Sequence, residues 1–122
     1  MKEVVKRPPM MSADAFFGGN DNKQAFAKTT FASTKEAQRF LNELELHGAG
    51  NFTLLGVRHE AWRYKQDGGP YADMLVFTVL PDKRRKVLNY LRRVGKPGAI
   101  LAMGTDQYLV WWPPKRNAGA AP

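Results

Sequence analysis

Cationic side chains are concentrated in residues 82–96, at a spacing that suits the binding of an anion. At about 100° per residue, a helix over this segment collects its apolar side chains on one face. The opposite face is cationic, and no acidic side chain lies on it to offset the charge. The candidate phosphate-contacting residues of the segment are Lys83, Arg84, Arg85, Lys86, Arg92, Arg93 and Lys96.

This arrangement has an energetic cost, which favours a binding role for the predicted helix. Like charges three or four residues apart destabilise a helix by roughly 0.2–0.5 kcal/mol per pair. The cations from Lys83 to Lys86 also crowd the helix N-terminus, where the helix dipole is already positive. The same N-terminus offers free N–H groups to a phosphate. The alternative interpretation is an outer helix whose cationic face is solvated.

Aromatic residues form a second group with the chemistry for ligand binding. Trp62 and Tyr64 share one side of a predicted strand. Tyr108 and Trp112 share one side of the last predicted strand, opposite Trp111. On an open sheet face such rings would stack on bases, as aromatic side chains do in single-strand binders. The alternative is that they fill the core or a dimer interface, where large aromatic side chains usually lie.

Recognisable catalytic and metal-binding patterns are missing, so we expect neither an enzyme nor a metal or cofactor site. The chain has no cysteine, which excludes thiolate catalysis and cysteine-ligated metals. Its two histidines, His47 and His59, have no third ligand in view. The sequence contains no nucleophile elbow, P-loop or dinucleotide-binding glycine motif.

The net charge supports an anionic partner. The chain has 122 residues and a formal net charge of +8, with a pI near 10.0. Residues 1–61 hold 8 Lys+Arg and 7 Asp+Glu, whereas residues 62–122 hold 11 Lys+Arg and 4 Asp+Glu. This asymmetry favours nucleic acid, an anionic membrane surface or an acidic protein as partner. The alternative is a charge excess that only keeps the protein in solution.

Cellular location is predicted from what the sequence lacks. No run approaches the roughly 18 consecutive apolar residues of a membrane span. Charged residues and two prolines interrupt the apolar residues at the N-terminus, which therefore does not match a signal peptide. The lack of cysteine fits a reducing compartment. We expect a cytoplasmic protein with no membrane partner, because the apolar face of the cationic helix is needed for the core.

Hydrophobic periodicity and turn residues divide the rest of the chain into strands and helices. Ser33 and Glu36 match a capping box at the start of one helix, and Gly48 is placed to end it. Gly56, inside the next strand, indicates a bulge or a close approach of another backbone. The predicted elements are strand 26–32, helix 34–47, strand 52–65, strand 72–80, helix 82–96, strand 99–103 and strand 108–112.

This order predicts an α+β fold, a two-layer ferredoxin-like split βαβ sandwich with an optional additional strand at the C-terminus. Both helices would pack on one face of an antiparallel sheet, and a sandwich with another strand order is the main alternative. The other face would be free for a ligand, a partner or a second copy, including a homodimer through the sheet. We expect a flexible leader over residues 1–25, one α+β domain over 26–112, and a disordered tail over 113–122.

Two functions compete for this sequence. The first is a small basic accessory protein that binds DNA or RNA, with the cations on phosphates and Trp62 and Tyr64 on bases. The alternative is a non-enzymatic interaction module, such as an inhibitor, adaptor or assembly subunit, that docks its basic surface on an acidic protein. The net positive charge favours both functions. The sequence contains no base-reading motif that would distinguish nucleic-acid binding from docking on an acidic protein.

Overall fold

The structure is a computed structural model that describes residues 9–114. The strands are β1 Met11–Ser12, β2 Ala49–Leu55, β3 Met74–Val79, β4 Ala99–Ala102 and β5 Gln107–Trp111. The α-helices are α1 Ala13–Phe17, α2 Thr34–His47, α3 Ala61–Asp67 and α4 Arg84–Tyr90. A 3₁₀ turn at Pro81–Lys83 precedes α4, and a π-helical turn at Leu91–Gly95 follows it. We call the continuous stretch of residues 81–95 the basic segment.

The five strands form one open antiparallel sheet in the order β1-β2-β3-β5-β4. The centre is β3, the most apolar strand, which pairs with β2 on one side and β5 on the other. The hairpin of β4 and β5 follows the basic segment, as the sequence predicted. The edges of the sheet are therefore the two-residue strand β1 and the four-residue strand β4.

Helices α2 and α4 pack on one face of this sheet, which gives a two-layer α+β sandwich. Helix α2 begins as predicted: the hydroxyl of Ser33 accepts a hydrogen bond of 3.2 Å from the N–H of Glu36. It ends at Gly48, whose φ of 122° would strain any residue with a Cβ. Its apolar stripe and that of the basic segment meet the inward side chains of β2, β3 and β5 in one core.

Trp112, directly after β5, lies at the centre of an aromatic cluster within that core. Its side chain is 1% exposed, and its ring centroid lies 5.1 Å from Phe26, 5.8 Å from Phe31 and 6.1 Å from Phe40. The indole N–H donates a hydrogen bond of 2.7 Å to the carbonyl of Gly95. The last strand is thereby joined to the end of the basic segment.

The predicted strand over residues 26–32 is wrong, because this stretch forms a turn. Ala27 has a φ of 42°, and its carbonyl accepts hydrogen bonds from the N–H groups of Thr30 and Phe31. Phe26 keeps only an isolated bridge to Ala72. In a strand, Phe26 and Phe31 would point to opposite faces. The turn lets both rings pack against the same indole.

The predicted strand over residues 52–65 is correct only as far as Leu55. Gly56 has a φ of 60° and turns the chain away from the sheet. Residues 61–67 then form α3, in which Arg63 pairs with Glu60 and Asp67 at helical spacing. Alternating aromatic and basic residues resemble a strand in sequence, but charge pairs one turn apart stabilise a helix here.

These corrections leave the coarse fold class intact, whereas the ferredoxin-like strand order is not confirmed. Residues 9–25, which we predicted as part of a flexible leader, include β1 and α1, with Phe16 1% exposed. Residues 1–8 of that leader and 115–122 of the predicted tail lie outside the described residues. Within the part that the structure describes, none of the helices has the length and apolar character needed to cross a membrane.

We expect Trp112→Phe to lower the free energy of unfolding by about 2 kcal/mol or more. The change keeps an aromatic ring but leaves the buried Gly95 carbonyl without its donor, and an unsatisfied buried group costs about 1–3 kcal/mol. Chemical denaturation of both proteins measures the difference. The matched control is Trp62→Phe, at a side chain 51% exposed, which should stay within about 0.5 kcal/mol of the parent. Equal effects of the two changes would contradict the role assigned to Trp112.

Candidate nucleic-acid interface

The basic segment covers the core with one side and presents its cations on the other. Val87 and Leu91 are fully buried, while Leu88 and Tyr90 are half-buried, as the helical pattern predicted. Val94, predicted on the same face, is 38% exposed. The π-helical turn has a wider spacing than an α-helix. It brings Gly95, rather than Val94, against Phe40.

Five of the predicted cations remain exposed along the outer side, and we call them the cationic surface. None forms an ion pair with any residue between 9 and 114. At 1.5 Å per residue, the group extends over about 16 Å of helix. Its members are Arg85, Lys86, Arg92, Arg93 and Lys96.

The other two predicted cations are engaged in contacts within the protein. Arg84 donates to the carboxylate of Asp106 at 2.7 Å and to the carbonyl of Thr105 at 3.2 Å. The bond to Asp106 raises the pKa of Arg84. Lys83 is half-buried, and its aliphatic chain lies so close to Gly48 that a Cβ there would be 2.5 Å from it. Both side chains therefore fix the start of the basic segment to the body of the fold.

Trp62 and Tyr64 lie on α3 instead of the open sheet, so they do not form the predicted sheet platform. Trp62 is 51% exposed, and the guanidinium of Arg63 lies 4.5 Å from the centroid of its ring. The hydroxyl of Tyr64 lies 2.7 Å from Nδ1 of His59, and the two rings stack. Trp62 thus offers an accessible aromatic face, whereas Tyr64 belongs to a local network.

A second group of cations, which sequence reasoning missed, surrounds the ring of Tyr71. The charged groups of Arg63, Arg58 and Lys28 lie 5.3, 5.5 and 5.6 Å from its centroid. These residues come from three separate stretches of the chain, and their spacing gave no signal. Burial raises the pKa of the Tyr71 hydroxyl, which accepts a hydrogen bond from the backbone N–H of Lys28.

Carboxylates largely neutralise this second group. Arg63 is 7% exposed and binds both oxygens of Glu60, at 2.6 and 3.2 Å. The hydrogen bond to Arg63 lowers the pKa of Glu60 to about 2. Asp73 is 1% exposed and lies 3.5 Å from Arg58, yet burial raises its pKa. These pairs stabilise the loop around Tyr71, and Lys28 is the one cation of this group that forms no ion pair with the described residues.

Two of the depressions formed by the described residues differ in charge. A cleft of about 360 Å³ at the end of the basic segment is lined by Arg92 and Lys96, together with residues 97–100. A larger groove of about 620 Å³ between α1, α2 and β2 contains the carboxylates of Asp14 and Glu45. Of these two depressions, the smaller one is lined by the cations that a phosphate requires.

The histidines and carboxylates form no metal-binding cluster in the part of the chain that the structure describes. No group of three or more metal-ligating side chains converges between residues 9 and 114. His47 has its Nδ1 2.7 Å from the carbonyl of Glu43, to which it donates, and its ring stacks on Tyr90 at 4.4 Å. It is thus held as part of the packing between α2 and the basic segment.

Comparison of the chain with protein families, with curated proteins and with solved structures found no match. The geometry and the charge of the chain itself therefore have to carry the functional argument.

We expect Glu60→Gln to remove a pH-dependent part of the stability. The pKa of Glu60 is lowered from 4.5 to about 2 in the folded protein, so its contribution is complete above pH 4.5 and is lost as the pH falls towards 2. The carboxylate is partly exposed, which limits the effect at neutral pH to about 1 kcal/mol.

Urea denaturation between neutral pH and the acid limit of folding measures this difference. The difference in the free energy of unfolding between the parent and Glu60→Gln should become smaller as the pH falls. Glu45→Gln, at an exposed carboxylate without an ion pair in the described part, is the control and should show no such trend. A gap that stays constant with pH would contradict the role of the Arg63–Glu60 pair.

Proposed function

We propose that this chain is a small nucleic-acid-binding accessory protein of the cytoplasm, which contacts phosphates through the cationic surface. The observation that supports this most directly is the grouping of five exposed cations without ion pairs on one side of the basic segment, whereas other exposed cations such as Lys23, Lys35 and Lys65 lie apart on other stretches of the chain. The ion pairs between residues 9 and 114 use Arg58, Arg63 and Arg84, whereas the cationic surface has none. An anion from outside the protein would neutralise the charges of the cationic surface.

The geometry of the surface suits a strand of phosphates. Arg85 and Lys86 lie on α4, Arg92 and Arg93 on the π-helical turn, and Lys96 directly after it, so the cations follow the length of the basic segment. Each of the five cations can contact one phosphate, so the surface offers up to five phosphate contacts. Contacts of this kind fix position without reading bases. We therefore propose binding with little sequence preference.

The cations differ in the role we assign to them. The cationic surface supplies the direct contacts, and Lys83 and Arg84 add to the field from positions fixed by their own contacts. Trp62 offers a ring for stacking on an unpaired base. Tyr64 would act through its network with His59. The binding experiment described below measures whether the protein prefers DNA or RNA, and single or double strands.

One observation favours the alternative of an acidic protein partner. Strand β4 is an edge strand with apolar side chains only, and the cleft lined by Arg92 and Lys96 adjoins it. An extended segment of a partner could add to this edge by main-chain hydrogen bonds and place a carboxylate in the cleft. Such a partner would compete with nucleic acid for two members of the cationic surface.

We expect the protein to bind nucleic acid with a steep dependence on salt. Five phosphate contacts on duplex DNA predict a loss of about 500-fold in affinity between 50 and 200 mM salt. Labelled single-stranded and double-stranded DNA and RNA, titrated with protein purified through a high-salt wash, measure the affinity. Replacing Arg85, Arg92 and Arg93 by Gln should weaken binding by at least about 30-fold at low salt and flatten the salt dependence.

A charge-matched control separates contact from net charge. Lys23, Lys35 and Lys65 are exposed cations outside the cationic surface, and changing them to Gln removes the same charge. This variant should keep most of the affinity. If the two triple variants lost affinity equally, the binding would depend on net charge and not on the cationic surface. Absence of binding at low salt would overturn the proposal. A pull-down in which the parent protein, but not the variant at Arg85, Arg92 and Arg93, retains an acidic protein would then support the alternative.

A further inference from the structure

A tryptophan on the short helix α3 is accessible although it is large and apolar. Trp62 is 51% exposed, and the guanidinium of Arg63 lies 4.5 Å from the centroid of its ring. Arg63 is itself held by both oxygens of Glu60 and lies 3.8 Å from the carboxylate of Asp67. The indole of Trp62 therefore rests against a fixed group of the fold, while much of its surface remains available to a ligand.

Two accessible cations belong to the same part of the surface. The charged groups of Lys28 and Arg58 lie 5.6 and 5.5 Å from the ring centroid of Tyr71, and that of Arg63 lies 5.3 Å from it. Lys28 is exposed and forms no ion pair with the described residues. The side chain of Arg58 is 40% exposed despite its ion pair, so it adds to the positive field. We call Trp62 and Lys28, together with Arg58, the tryptophan site.

The tryptophan site and the end of the cationic surface lie at the same end of the core. The turn that carries Lys28 also carries Phe31, whose ring centroid lies 5.8 Å from that of Trp112. The indole of Trp112 donates its hydrogen bond to the carbonyl of Gly95, and Lys96 of the cationic surface is the next residue. Lys28 and Lys96 are therefore connected through one buried indole, and an extended ligand can contact both.

The combination of an accessible ring with free positive charge selects the chemistry of the ligand. An acidic segment of a protein would satisfy the cations but not the ring, and an apolar segment would satisfy the ring but not the cations. A nucleotide with an unpaired base supplies a flat apolar surface and a negative charge in one unit, which is how single strands are bound in general. In a duplex the bases already stack on one another, so they do not reach the indole.

We propose that the ligand of this protein is a single strand, which continues from the cationic surface past Lys96 to the tryptophan site. There a base stacks on Trp62 and a neighbouring phosphate contacts Lys28. This inference rests on the proposed function, because the cationic surface supplies the other phosphate contacts, and it adds the single-stranded form of the ligand. Stacking on one aromatic side chain strengthens binding by about tenfold.

Three DNA ligands of equal length, about 16 nucleotides, separate stacking from phosphate contact. They are a single strand, the same strand without its bases, and a duplex. We expect the full chain to bind the complete single strand about tenfold more tightly than the strand without bases. Trp62→Leu should abolish that difference and keep the affinity for the other two ligands. Equal binding of the two single strands by the parent would overturn the inference.

The dependence on salt distinguishes the two contacts of the tryptophan site. Trp62→Leu should weaken single-strand binding by the same factor at each salt concentration, because stacking releases no counterions. Lys28→Gln removes one phosphate contact, so the slope of log affinity against log salt should become less steep by about 0.7. An unchanged slope for Lys28→Gln would contradict the phosphate contact at this site.

Trp111→Leu is the matched control for the loss of an indole. Trp111 is 39% exposed, and its pairing with Met74 places it on the open side of the sheet, opposite the helices. This variant should bind all three ligands as the parent does. A loss of single-strand affinity equal to that of Trp62→Leu would place the bases on the open side of the sheet and overturn the inference.

The same titrations distinguish this inference from the proposed function. Duplex binding that depends on Arg85, Arg92 and Arg93, without any preference for the complete single strand, would overturn the inference and leave the proposed function standing. Absence of binding to all three ligands would overturn both. A pull-down in which the parent retains an acidic protein but Trp62→Leu does not, with no effect of Trp62→Leu on single-strand binding, would assign the tryptophan site to a protein partner instead.

Discussion

The hydrogen bond from the Trp112 indole to the Gly95 carbonyl is the constraint on which the arrangement of the fold depends. It joins the end of the last strand to the end of the basic segment, inside a buried aromatic cluster. Gly95 has no room for a side chain, since a Cβ there would lie 2.7 Å from the ring of Phe40. The close approach of helix, strand and α2 at this point therefore requires glycine, and it fixes which side of the basic segment faces outward.

Three kinds of surface follow from that arrangement. The helical layer shows cations on its outside, the sheet shows apolar side chains on its open side, and the groove beside α1 contains carboxylates. The sheet separates the first two of these surfaces, and they adjoin at the edge strand β4. The paired cations have a different role: Arg84 fixes the hairpin loop through Asp106, and Arg63 fixes α3 through Glu60. Charge that stabilises the fold is thus distinct from charge that is available for binding.

Elements that depend on short-range patterns were predictable from the sequence. The capping box at Ser33, the end of α2 at Gly48, the hairpin of β4 and β5 and the helical basic segment all involve residues close together in the chain. The errors arose where distant contacts override local pattern. Residues 26–32 alternate like a strand but turn because two rings share one indole, and residues 61–65 form a helix because Arg63 pairs one turn away on either side.

The sequence by itself determined the coarse α+β class, the amphipathic basic segment and the excess of cations in the C-terminal half, because these depend on composition and on local period. Alternation also placed Trp111 and Trp112 on opposite sides of the chain. Only the tertiary structure decided that Trp112 is the buried one, since Phe26, Phe31 and Phe40 reach it from other elements. It likewise decided which cations are paired, because Arg84 and Asp106 are 22 residues apart and meet only when the hairpin folds against the helix.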